Sequence, residues 1–169
     1  MKKKINPLII GLAIILLIIS LFGAYIIISI DKHGKEEWAR WREENQYMEN
    51  YAKEHDEEFI DISRQLNSCL ERIAEANSLS TNDIVLRISL YNEDINASCT
   101  IKNTGKEIII QNEIIELIRS IKYVDNNRSI TVVYNKIIYT DGNDSIMCTN
   151  DVQNGWECVG HAGMPHGWV

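Results

Sequence analysis

Proline is almost missing from this 169-residue chain, which has only Pro7 and Pro165. No Pro-rich spacer can be present. From Lys35 to Leu79 there is neither a proline nor a glycine, so nothing in that stretch forbids one long helix. Charge is missing from Leu8 to Ile30, twenty-three residues in a row. The chain also lacks a C-x-x-C pair, a G-x-S-x-G elbow, an H-E-x-x-H helix and a P-loop. Dithiol redox chemistry has no motif here. The sequence gives no reason to expect an enzyme, a cofactor or a metal.

The uncharged run follows three lysines, Lys2, Lys3 and Lys4. As a helix it would reach roughly 35 Å, enough for a hydrocarbon core of roughly 30 Å with some tilt. A cleaved signal peptide is the competing reading, but its apolar region would be shorter and end in a small-residue site. Here the run continues through Tyr25-Ile26-Ile27-Ile28, so an uncleaved anchor is expected. Lysines favour the cytoplasmic side, which predicts a cytoplasmic stub at 1–7, a transmembrane anchor at 8–30 and the rest of the chain in the periplasm.

Composition beyond the run agrees with that placement. All four cysteines lie there, as do all 24 acidic residues, against 14 of the 17 basic ones, a formal charge of −10. Such a surface disfavours nucleic acid and suits a basic protein partner. Residues 31–58 read as a helical stalk with a heptad seam through Trp41, Asn45, Met48, Ala52 and His55. A homo-oligomer through this stalk and a plain spacer are both open readings. Trp38 and Trp41 suit either the headgroup region or a partner.

Residues 59–169 form the expected periplasmic domain. From Phe59 the apolar face widens as for a helix on a sheet. After Asp83 the period falls to two: Ile84, Leu86, Ile88 and Leu90 share one face of a strand, and Ile95, Ala97, Cys99 and Ile101 one face of its hairpin partner. A short strand is expected near 107–110, a helix over 112–123, a β-branched strand over 130–139, and two more strands at 145–149 and 156–159. Grouped strands and helices predict an α+β fold, an antiparallel sheet with helices on one face.

The order helix (Phe59 to Ala76), hairpin (Leu86 to Leu90 with Asn96 to Lys102), helix (Asn112 to Lys122) and strand (Ile130 to Tyr139) resembles the C-terminal domain shared by the envelope proteins TolA and TonB. The resemblance covers about half of the chain and rests on order and length. It implies a tethered domain that captures another envelope protein by strand addition, with Ile130, Val132 and Tyr134 on the receiving edge. Both families carry a Ser and a His one turn apart inside the anchor. Here the only such pair, Ser29 and His33, lies at its outer end, so the energy-transducing role is not carried over. An inhibitor or immunity protein against a basic toxin, and a phage lysis regulator of the holin or antiholin kind, are the alternative functions.

Four cysteines allow three pairings. Periodicity aims Cys69 and Cys99 into one core and so predicts that bond, leaving Cys148 for Cys158. A tight turn at Asn154-Gly155 would set Cys148 opposite His161, so the second bond requires a wider loop or a bulge. The Asp141-Gly142 turn favours a further strand over the receiving edge, which would move binding to the outer hairpin and the Gly-rich tail. Trp156 and Trp168 are then the expected aromatic anchors. His161, Met164 and His166 in that tail are metal-ligand types without a second cluster, and a flexible terminus is the simpler reading.

Overall fold

The computed structural model describes residues 7–91, 94–123 and 129–163, with the side chains of 7–15, 17 and 27 outside the description. The chain divides into two units, Met1–Arg42 and Glu43–Val169. Helix α1 runs Pro7–Glu54. Within the first unit its outer turns are tied by Asp31–Lys35 and Lys32–Glu36 ion pairs, and Trp38 meets Trp41 edge-on at 5.3 Å. Among the described residues no helix is long and apolar enough to cross a membrane.

The second unit is α+β, with every sheet contact antiparallel. Helix α2 spans Asp56–Ala76 and starts with Asp56, Glu57 and Glu58, whose carboxylates suit the positive end of the helix dipole. Its apolar residues recur at three and four, so Phe59, Ile62, Leu66, Leu70 and Ile73 are buried on one side. Asn77 closes it, its side-chain amide donating to the Ile73 carbonyl at 2.8 Å. Then come β1 (Ile84–Tyr91), β2 (Asp94–Ile101), the two-residue β3 (Glu107–Ile108), α3 (Asn112–Ser120), β4 (Ser129–Val133), β5 (Lys136–Asp141), β6 (Asp144–Asp151) and β7 (Gly155–His161). The sheet order is β3-β2-β1-β4-β5-β6-β7.

Two-residue periodicity sets the faces as expected. Leu86, Ile88, Cys99, Ile130, Val132, Ile137, Tyr139, Ile146 and Cys148 all turn to the helical side and are buried. Helix α2 packs across β1, β4, β5, β6 and β7, while α3 covers β2. Polar groups caught beneath α2 are paired: Ser63 Oγ and Tyr139 Oη lie 2.8 Å apart, and the Asn67 side-chain oxygen accepts the Asn135 N–H at 2.9 Å.

Four expectations need correction. The β-branched run 130–139 is a hairpin, because Asn135 adopts a left-handed φ of 58° and the chain reverses at Tyr134-Asn135. That reversal sets Ile130 opposite Tyr139. The helix over 112–123 stops at Ser120, where the Ile121 N–H bonds back to Ile118. Residues 43–58 belong to the domain rather than to a free stalk, since Ala52 is fully buried and the Asn45 side chain accepts the Ala162 N–H at 3.1 Å. Finally, Cys69 and Cys99 are buried free thiols. Each faces the core as its periodicity requires, but Cys69 rides on α2 whereas Cys99 sits on β2, the strand that α3 covers.

The docking of α1 depends on one glycine. A methyl group at Gly160 would lie 2.0 Å from the Met48 carbonyl oxygen, so the backbone of α1 occupies the space of a side chain on β7. Gly160→Ala is expected to cost about 1 to 3 kcal/mol, the range for overpacking a filled contact. The measurement is the urea midpoint of the full chain in mild detergent, with Gly23→Ala, which meets open space, leaving it unchanged.

Candidate protein-interaction edge

The β6–β7 hairpin closes through Val152, Gln153 and Asn154, between the paired Asp151 and Gly155. Asp151 builds the loop, its carboxylate accepting the N–H of Gln153 at 2.7 Å and of Asn154 at 3.3 Å. Gly155 then takes φ +76°, a conformation that glycine reaches without a Cβ penalty. Three loop residues instead of a tight Asn-Gly turn shift the register. Cys148 therefore sits opposite Cys158, and the two are joined, with a Cα–Cα distance of 4.1 Å. This is the wider loop that the second disulfide requires.

That separation marks a pair whose backbone groups do not bond each other. By the antiparallel alternation, the N–H and C=O groups of Trp156, Cys158 and Gly160 point away from β6, toward the outer side of β7. Among the described residues no strand pairs there, which makes β7 one edge of the sheet and the two-residue β3 the other. The hairpin residues 144–161 carry three carboxylates (Asp144, Asp151, Glu157) and no Lys or Arg. Val152 at the tip is fully exposed. Such an edge can accept an extended basic segment.

The residues expected to contact a partner are not gathered at this edge. Ile130 and Val132 have no exposed surface, because β4 lies in the middle of the sheet beneath α2. They are core residues, and the expectation fails for them. Tyr134 is 36% exposed at the β4–β5 turn, two strands away from β7. Trp156 lies on β7 but on the helical face, half-buried against the core, so it is a packing residue with an exposed rim. Trp168, Met164 and His166 lie outside the described residues. The tail through Gly163 is tied down, since the Gly163 N–H donates to the Asp144 carboxylate at 3.1 Å. Among the described residues no three His, Cys, Asp or Glu side chains gather as metal ligands.

Sequence reasoning reached the Cys148–Cys158 bond with its wider loop and moved binding to the outer hairpin; what it missed is that β7 itself is the sheet edge. Elsewhere, a cleft between α2 and α3 is lined by Arg72, Glu75, Gln111 and Glu113, and the buried Gln111 side-chain oxygen has no hydrogen-bond partner there. His55, at the α1–α2 junction, lies tilted against the Tyr51 ring at 4.6 Å and meets Glu58 at 3.2 Å. No protein family, curated protein or solved structure matches the chain.

Burial pushes both free thiols up to about 11 from 9.0, with a small opposing pull from the Arg72 charge at Cys69 and from a Thr100 backbone hydrogen bond at Cys99. Burial likewise raises the Tyr139 hydroxyl, against the stabilising bond from Ser63. A group kept protonated by the fold loses stability once the unfolded chain can ionise. The thiol contribution is therefore complete below about pH 9 and falls away as pH rises to about 11. Peptide mapping is expected to recover Cys148 linked to Cys158, with Cys69 and Cys99 alkylated only after denaturation. Removing the disulfide by Cys148→Ser with Cys158→Ser should cost about 2 to 4 kcal/mol in urea unfolding. Trp156→Ala, at a half-buried site, should cost about 1 to 3 kcal/mol, below the range for a fully buried tryptophan; an unchanged urea midpoint would make it a surface residue.

Proposed function

We infer that this chain is a single-pass inner-membrane protein of a Gram-negative envelope whose periplasmic domain captures another envelope protein by adding a strand to β7. The observation that carries the reading is the β7 edge, unpaired among the described residues and tied to β6 by the Cys148–Cys158 bond, in a hairpin with three carboxylates and no Lys or Arg. Main-chain groups aimed outward supply affinity, and the acidic hairpin selects a basic strand.

The anchor rests on the uncharged run and on the environment of its described part. Leu16, Ile18, Ile19, Leu21, Phe22 and Tyr25 are each at least 57% exposed, so large apolar side chains point outward around this part of α1. A helix apolar all round is stable where lipid or other apolar helices surround it. The three lysines before it orient the domain outward.

A second reading is favoured by the same carboxylates: an immunity protein whose acidic hairpin occupies a basic toxin. Its domain would work without the anchor, whereas the envelope role requires both.

The full-length chain is expected to stay in the membrane pellet after carbonate extraction, with residues 31–169 cut by protease added to the periplasmic side. Photo-crosslinking from Glu157 should give an adduct with a second, basic protein, while the same crosslinker at Glu113 on α3 gives none. A mature chain beginning near Ala24 or Asp31 would remove the anchor from the reading. Equal adducts from both positions would remove the β7 edge.

A further inference from the structure

Asn154 is the only asparagine of this chain that glycine follows. It closes the β6–β7 loop, where Val152, Gln153, Asn154 and Gly155 are all exposed. The Asp151 carboxylate fixes that loop through main-chain N–H groups, and among the described residues no hydrogen bond holds the Asn154 side-chain amide. Elsewhere the fold ties such amides down: those of Asn45, Asn67, Asn77 and Asn150 donate to Glu49, Glu71, the Ile73 carbonyl and Asn135. We propose that Asn154 is a modification site, deamidated without an enzyme, with the Gly155 nitrogen as internal nucleophile and water as the co-reactant.

The chemistry needs only the two residues that share this peptide bond. The Gly155 nitrogen gives its proton to solvent base and bonds to the Asn154 side-chain carbonyl carbon. The bond from that carbon to the amide nitrogen breaks, and with a proton from water the nitrogen leaves as ammonia. Water then opens the cyclic imide. Cleavage at the side-chain carbonyl gives aspartate, and cleavage at the main-chain carbonyl gives isoaspartate, whose backbone runs through the side-chain methylene. Each conversion consumes one water and releases one ammonia, and nothing is oxidised or reduced. The product changes the β7 hairpin, which gains a fourth carboxylate beside Asp144, Asp151 and Glu157. The conversion itself requires neither a partner nor the anchor.

A Cβ on the following residue crowds this attack and narrows the backbone rotations that reach it. Gly155 has none, and the position where one would stand has nothing within 4 Å. Its N–H belongs to the last rung of the hairpin, opposite Asp151, and by the antiparallel alternation bonds the Asp151 carbonyl. Only that rung must open, and the end of a ladder opens at far lower cost than its body. The disulfide, three register pairs further in, keeps β6 and β7 joined meanwhile. Asn143 is the internal comparison. It too is exposed and precedes the first residue of a returning strand, Asp144, which pairs with Asp141. Asp144, however, carries a Cβ, and its carboxylate accepts the Gly163 N–H. Two asparagines at equivalent places in successive hairpins thus differ in the residue that follows.

The test incubates the full-length chain in mild detergent at neutral and at mildly alkaline pH and follows both hairpin loops by peptide mass spectrometry. Position 154 is expected to shift from amide to acid as a mixture of aspartate and isoaspartate, faster at the higher pH, while Asn143 keeps its amide. Asn154→Gln, which would have to close a larger ring, should lose this conversion and the ammonia released with it. A thiol reagent present throughout reports the fold, since the buried Cys69 and Cys99 stay unmodified while the domain is intact. An Asn154 that keeps its amide, equal conversion at Asn143, undiminished ammonia release from Asn154→Gln, or conversion confined to chains alkylated at Cys69 and Cys99 would each overturn the folded loop as the site.

Discussion

The architecture depends on how far one helix can reach across a sheet. Helix α2 has 21 residues and at about 1.5 Å per residue is roughly 31 Å long. Five strands at about 4.8 Å spacing are roughly 24 Å wide, so α2 can cross β1, β4, β5, β6 and β7 on its own. The short α3 is left for β2, and among the described residues no helix packs on the opposite face. One-sided cover then dictates where each kind of residue sits. Apolar residues fill most inward positions of β1, β2, β4 and β5, and the outward positions are mixed, with Ser and Thr beside Arg87, Lys136, Ile138 and Met147.

Ordering α2 over so many strands also decides which polar groups must be paired. Asn67 reaches past the helix to the tight β4–β5 turn, where it accepts the Asn135 N–H, and the Asn135 carbonyl accepts the Asn150 N–H at 2.9 Å. Three asparagines thereby hold the reversal that makes β4 and β5 separate strands. Tyr139, deep in the sheet, pairs its hydroxyl with that of Ser63 and meets Phe59 edge-on at 4.9 Å. These buried donors and acceptors beneath α2 have answers on the facing element, and leaving one without it typically costs about 1 to 3 kcal/mol.

At the far side of the sheet, β7 is gripped from two directions. The disulfide ties it to β6, and the end of α1 lies against Gly160, where even one methyl group has no room. Both constraints act on the side chains and the inner face, and neither uses the outward backbone groups of Trp156, Cys158 and Gly160. The edge is therefore rigid and still free to bond. Rigidity there lowers the ordering cost of adding a strand.

Much of this was legible from periodicity alone. Spacing by two gives the face of a strand and spacing by three and four the face of a helix, because side-chain direction is a local property of the backbone. So Leu86, Ile88, Cys99, Ile114, Ile118 and the α2 residues were placed correctly, as was the α+β class with an antiparallel sheet. Lateral position is not local. Cys69 and Cys99 face one core yet do not bond, because which strand lies beneath which helix is set by the packing of α2 and α3. Ile130 and Val132 were misread as an edge for the same reason: strand order is a tertiary choice. The turn at Asn135 hid inside a β-branched run, since one residue at positive φ reverses a chain without any change in hydrophobic pattern. Sequence by itself determined the faces, most of the elements and the acidic balance of the chain. Only the tertiary structure decided that Cys69 and Cys99 stay apart, that the end of α1 docks on Gly160, and that among the described residues β7 and one face of the sheet stay open, because each of these depends on what happens to lie opposite.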